Sequence, residues 1–143
     1  MGEALLGSLG HYVYMNQPDA DAYILGGMRP RSEGPWRWAL NRPELRFYVP
    51  EAARLKFEMD LTFPENEFRQ TGAVRLDVAL NGRVFDSVHV EKPGSLHYSR
   101  PVPGGLLRAN AVNTVAITPD KAAGRSNAGE RLGFIMFSAG FAE

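Results

Sequence analysis

The side chains that could do chemistry in this chain are few and scattered. Three histidines, His11, His89 and His97, share no metal-motif spacing, whereas zinc needs three or four converging ligands. There is no cysteine, which removes thiolate nucleophiles, Cys-ligated zinc and disulfides. No serine lies in a G-x-S-x-G elbow. Ser87, His97 and Asp86 can be assembled on paper into a triad, but a β protein of this size offers many such trios. The glycine pairs Gly26-Gly27 and Gly104-Gly105 lead into no phosphate-binding motif and read as turns or bulges.

Carboxylates come closer to forming a site. Glu58 and Asp60 are two residues apart in a strand-like run, which puts them on one face roughly 7 Å apart. Glycosidases work with two carboxyl groups about 5–10 Å apart across a cleft. Lys56 and Thr62 share that face, however, and such a mixture reads as a solvated exterior. Asp19 and Asp21, with Gln17, form an oxygen-rich patch, and Glu65-Asn66-Glu67 forms another. A structural Ca²⁺ wants six to eight oxygens, so Asp19 and Asp21 are calcium candidates against a favoured reading of solvated loop; no other cofactor is indicated.

Binding chemistry is better represented. The stretch Glu33-Gly34-Pro35-Trp36-Arg37-Trp38 holds both tryptophans of the chain. Indole and phenol rings stack on the C–H faces of sugars, while Arg, Asp and Asn take hydroxyl groups. If this stretch is extended, Trp36 and Trp38 point to one side and Arg37 to the other. The ligand-binding candidates are Trp36, Trp38, Arg37, Tyr48, Arg46, His97 and Arg131. Against a surface platform stands the general burial of large aromatics, which places at least one indole in the core, stacked on Leu45, Phe47 or Phe134. Glu33 is expected to pair with Arg37 or Arg131.

The bulk numbers narrow the partners. Sixteen basic and sixteen acidic side chains cancel over 143 residues, and nucleic-acid binders show a basic excess that is missing here. The opening residues have no basic n-region followed by a signal-peptide core, and no stretch approaches the ~18 apolar residues of a membrane span. The expectation is a soluble, cytoplasmic protein with no membrane insertion and no nucleic-acid partner.

The elements that must carry these residues are written in period two. From Arg54 to Phe63 every odd position is apolar and every even one polar, the pattern of a strand with one face in the core. Leu45, Phe47 and Val49 repeat it before, and Val74, Leu76, Val78 and Leu80 after. Asn81-Gly82 then joins two strand-like runs, and an Asn-Gly pair tolerates the positive φ angles of a type I′ hairpin. Further strands are expected at 22–25, 36–40, 96–102, 114–118 and 132–138. Turn clusters stand between them at Pro64-Glu65-Asn66, Lys92-Pro93-Gly94, Pro103-Gly104-Gly105 and Gly124-Arg125-Ser126-Asn127. Helix is confined to short turns at 3–9 and 105–109. About eight or nine short strands in one domain of this size predict an all-β, antiparallel β-sandwich or barrel.

The run from Val74 to Asp120 resembles the second half of galactose-binding-like jelly-roll domains, through Leu80-Asn81-Gly82 and the strand opening Asn113-Thr114-Val115-Ala116-Ile117. Arg37-Trp38 at a strand start and Arg131-Leu132-Gly133 before the last strand are similar to β-sandwich accessory domains found with bacterial glycosyltransferases and other glycan-assembly proteins. The resemblance covers 32–141, with 1–31 as an N-terminal strand and loop region of the same domain. It implies a jelly-roll β-sandwich and a non-catalytic carbohydrate-binding or accessory module. Its partner would be a carbohydrate or a glycan-processing protein. Two other readings stand beside it: a structural sandwich that self-associates through strand edges as a homo-oligomer, and a glycan hydrolase using a carboxylate pair.

Overall fold

Alternation sets the architecture. The computed structural model describes residues 9–125 and 131–143. The strands are β1 (Tyr12–Tyr14), β2 (Ile24–Met28), β3 (Arg37–Val49), β4 (Lys56–Phe63), β5 (Val74–Leu80), β6 (Arg83–Val90), β7 (Gly94–Pro101), β8 (Ala111–Pro119), β9 (Ala123–Arg125), β10 (Arg131–Leu132) and β11 (Phe134–Ala142). A 3-10 turn at Ala20–Tyr23 and one helix, α1 (Glu65–Thr71), complete the described elements. The main path runs β6-β5-β8-β3-β11-β4-β7, every neighbouring pair antiparallel, with β1 on β11 and β2 on β3. This curled antiparallel arrangement is the expected jelly-roll β-sandwich.

One long strand joins the two layers. The first residues of β3, Arg37–Ala39, pair with β11, and its last, Glu44–Val49, pair with β8. Between these ladders, two residues of β2 (Gly26 to Met28) span five of β3 (Glu44 back to Ala39), so β3 bulges at 40–43. Pro43, which lacks an amide donor, sits in the bulge, where no ladder bond is lost. The two strands expected at 36–40 and around Leu45 are therefore one strand that changes partners along its length.

The inward positions of both layers close on one apolar core. Leu45, Phe47 and Val49 of β3, Phe57, Met59 and Leu61 of β4, Leu76 and Val78 of β5, and Phe134, Met136 and Phe141 of β11 are all fully buried. Phe141 packs against both Phe47 and Phe57, with centroids 5.7 and 5.4 Å away, and so ties the layers together.

The motif residues act as a unit. Asn81 and Gly82 have φ of 50° and 85°, as a type I′ turn requires. Asn81 Nδ2 donates to Asn113 Oδ1 and to the Leu106 carbonyl, and its Oδ1 accepts from the Thr114 amide. Asn113 is fully buried; its Oδ1 also accepts from the Arg108 amide, and its Nδ2 donates to the Arg108 and Ala111 carbonyls.

Several local expectations are corrected. The Pro64-Glu65-Asn66 turn is the start of α1, which carries helix signals in a short space. Pro64 is its N-cap, Glu65 and Glu67 lie in the first turn and Arg69 in the last, and Gly72 follows with φ 69°. The segment 105–109 is turn and bend rather than helix, and 22–25 divides into a 3-10 turn and the start of β2. Tyr12–Tyr14 forms a strand that three residues of alternation could not announce. Gly124-Arg125 lies in β9, while Ser126-Asn127 and the expected helical turn before Leu9 fall outside the described residues.

Candidate functional site

Trp36, in a lone bridge to Glu33 just before β3, and Trp38 do share a side, with Arg37 opposite, but the sign is the reverse of the core expectation. Arg37 is the buried residue, 5% exposed, and both indoles are half-buried on the outer face, packed edge-to-face at 6.3 Å. The Arg29 guanidinium lies 6.0 Å from the centre of the Trp38 ring, a cation–π contact, and also pairs with Glu33 at 3.7 Å in place of the expected Arg37 or Arg131. The buried Arg37 guanidinium is met from the surface at its two outer nitrogens, while its Nε has no partner among the described residues. Asp21 meets its Nη2 at 2.9 Å, and its Nη1 donates to the Arg29 carbonyl at 3.2 Å.

The remaining candidates are spread over the molecule. Arg46 donates through Nε to the Ala22 carbonyl, and the Tyr48 hydroxyl donates to Asn110 Oδ1; both lie on the half of β3 that pairs with β8. Arg131 lines an open cavity of about 550 Å³ with Arg42, Gln70, Asp120 and Lys121. Asp19 accepts from Gln17 and Asp21 holds Arg37, and among the described residues no three His, Asp or Glu side chains converge as a metal site. The paper triad disperses: Ser87 donates to Asp77, Asp86 accepts from Tyr98, and His97 faces Asp60. His89 stands opposite Arg75 on the far side of the main sheet path.

His97 and the carboxylate pair do meet, on the outer face of β1, β11, β4 and β7. Register places the side chains in rows. Trp38, Ile135, Thr62 and Ser95 form the first, Tyr14, Ser138, Asp60 and His97 the second, and Tyr12, Gly140, Glu58 and Ser99 the third. A β-bulge in β11 between Met136 and Ser138 keeps Ile135 and Ser138 on the same side of the sheet.

A chain of hydrogen bonds crosses the second row. A carboxylate only accepts, so His97 Nδ1 donates to Asp60 Oδ1 at 2.6 Å and Ser138 Oγ to Asp60 Oδ2 at 3.3 Å. The hydroxyl proton of Ser138 being thus used, Tyr12 donates to Ser138 Oγ at 3.1 Å. Ser99 Oγ donates to Glu58 Oε2 at 3.0 Å in the row beside it. Partial burial holds the Tyr12 phenol above its ordinary pKa; the Ser138 bond pulls the other way, and the charges of Asp60 and Glu58 add to the rise. Tyr12 is therefore a neutral donor at physiological pH.

Ser138 is buried beneath this chain, while the groups around it are open to solvent. Tyr14 is 57% exposed, and the side chains of Asp60 and His97 are 46% and 61% exposed. Tyr12 and Tyr14 sit 5.2 Å apart at the edge of the patch. The face thus offers aromatic rings along one side and acceptors and donors along the other. Residue-by-residue reading could not find Tyr12, Tyr14 and Ser138 for this face, because Ser138 lies 126 residues from Tyr12 and 78 from Asp60 and only the pairing of β11 brings them together. The odd–even position of Glu58 and Asp60 was the one available signal.

No protein-family model matches the chain, and no curated protein matches it. Solved structures do. A family 35 carbohydrate binding module from Clostridium thermocellum superposes with a TM-score of 0.56 over 92% of this chain and 98% of its own, at 13% identity. A family GH115 4-O-methyl-alpha-glucuronidase with specificity for decorated arabinogalactans matches with a TM-score of 0.50 over 76% of this chain, at 12% identity. The match spans 14% of that longer chain. At these identities the likeness is one of fold.

Proposed function

We propose that the protein is a non-catalytic carbohydrate-binding module and that the outer face of β1, β11, β4 and β7 is its saccharide surface. The observation that carries this reading is the side-by-side placement of the Tyr12–Tyr14 pair and the hydrogen-bonded Asp60–His97 and Glu58–Ser99 pairs. Rings stack on sugar C–H faces, and carboxylates take hydroxyl protons in charge-assisted bonds. The fold shared with a solved carbohydrate-binding module supports the same reading.

The geometry argues against hydrolysis by the same carboxylates. Glu58 and Asp60 stand side by side on one strand of an open face, whereas glycosidases hold the scissile bond between two carboxyl groups across a cleft. A glycan-processing partner is part of the proposal and rests on the sequence resemblance.

Titration calorimetry against a panel of soluble glycans, with Tyr14→Ala and Asp60→Ala, tests it. Heat of binding in the native protein and at least a tenfold weakening in each variant, about 1.4 kcal/mol, is the expected result. A panel that gives no binding, or variants that bind unchanged, overturns the assignment. Release of reducing sugar that disappears in Glu58→Gln or Asp60→Asn would establish the hydrolase instead.

A further inference from the structure

The proposed face has a direction, and the direction bears on what it holds. β4 occupies one edge of β11 from Ile135 to Ala142. β3 and β1 therefore share its other edge end to end, Trp38 opposite Ile135, Tyr14 opposite Ser138 and Tyr12 opposite Gly140. Trp38, Tyr14 and Tyr12 accordingly stand in one file beside β11, with Trp36 flanking the first at 6.3 Å.

The polar groups run in a parallel file on the opposite side of β11. Thr62 and Ser95 are level with Trp38, Asp60 and His97 with Tyr14, and Glu58 and Ser99 with Tyr12. From Ile135 to Gly140 is five residues, one of them taken up by the bulge, so the file is about 13 Å long at ~3.3 Å per strand residue. A hexopyranose is comparable in size to one phenol ring, so a single sugar can occupy only one of these levels. Among the described residues nothing encloses a chain end, since Asp60, His97 and Tyr14 all stand on exposed strand surface.

We infer that the ligand is an extended internal stretch of a glycan chain, lying parallel to β11. Successive sugars contact the levels of Tyr12, Tyr14 and Trp38, and their hydroxyls reach the Glu58–Ser99, Asp60–His97 and Thr62–Ser95 pairs. This rests on the carbohydrate-binding reading above and adds to it the length and the part of the chain recognised.

The test uses the full chain and a ladder of oligosaccharides of one to six units from whichever polymer binds in affinity electrophoresis, screened among xylan, mannan, galactan and mixed-linkage glucan. Affinity should climb roughly five- to tenfold with each unit up to about three or four and then level off, as each added ring stacks at a new station. Capping both ends of the hexasaccharide should leave its affinity within twofold. Tyr12→Ala, at the end of the file, should move the plateau to a shorter length; circular dichroism confirms that the variant is folded. A monosaccharide that binds as tightly as the hexasaccharide, or binding abolished by capping, overturns the internal-stretch inference and leaves carbohydrate binding standing. Failure of every polymer to retard the protein overturns both.

Discussion

Replacing Tyr98 by Phe tests the clasp that closes one edge of the sandwich and holds β7 in line with the proposed face. Tyr98 is buried, and its hydroxyl donates to Asp86 Oδ2 at 2.7 Å, joining β7 to β6 across the two ends of the strand order. Arg100 Nε stands 3.4 Å from the same oxygen. A hydrogen bond to a charged acceptor contributes about 1.5–3 kcal/mol, and the low end applies because Asp86 is partly in water and keeps Arg100. A loss of about 1.5 kcal/mol should lower Tm by roughly 4–5 °C in a domain of this size.

The pH dependence makes this prediction specific. Burial first, then the bond to Asp86 and its charge, push the Tyr98 phenol far above its ordinary pKa. The folded chain thus keeps Tyr98 protonated where the unfolded chain ionises it, near pH 10. The stabilisation is full below that pH and is lost as pH rises toward the folded value. At pH 11 ionisation of the unfolded chain costs the native protein about 1.4 kcal/mol that the Phe variant does not lose. Urea unfolding at pH 7 and pH 11 should therefore show a gap of about 1.5 kcal/mol closing to nearly zero. The two proteins differ at Tyr98 alone, so every other contribution cancels in the gap. A gap that stays constant between the two pH values, or no gap at pH 7, refutes the clasp.

Other perturbations follow from the same geometry. Asp21→Asn strands a buried guanidinium and should cost about 1–3 kcal/mol in urea unfolding, while Arg37→Met, which removes the charge and keeps the bulk, should stay within about 1 kcal/mol of native. Asn113→Ala leaves the Arg108 amide and Asn81 Nδ2 short of an acceptor and should cost about 3 kcal/mol by the same assay. Gly140→Ala would put a Cβ 2.4 Å from the Tyr12 Cα and 2.5 Å from the His11 carbonyl oxygen. It should destabilise by about 3 kcal/mol and, where the chain still folds, weaken glycan binding by displacing Tyr12 and Tyr14. Acrylamide should quench the half-buried tryptophans in the free protein, and a bound oligosaccharide should reduce the quenching constant.

Much of the fold was legible because its cause is local. The odd–even run from Lys56 to Phe63 and the Val74 to Leu80 run each state which side chains face the core, and Asn81-Gly82 encodes its own turn through backbone sterics. Where the local signal was short or shared, reading failed. Three residues of β1 carry too little alternation, and the turn residues of 64–66 proved to be the cap and first turn of a seven-residue helix.

The candidate site was legible only in fragments. Parity put Trp36 and Trp38 on one side of a strand and Glu58 with Asp60 on one side of another, since side-chain direction alternates wherever the chain is extended. Which side is the core is a different quantity, decided by what packs against the strand. The pairing of β3 with β11 made Arg37 an inward residue, met there by Asp21, and the shared edge of β11 set Tyr12 and Tyr14 across from Asp60 and His97. Those contacts join segments far apart in the chain, and their energies depend on burial and register that no single stretch contains. The sequence by itself determined an alternating all-β sandwich and the relative facing of its side chains; tertiary packing alone decided which faces met solvent and which side chains met one another.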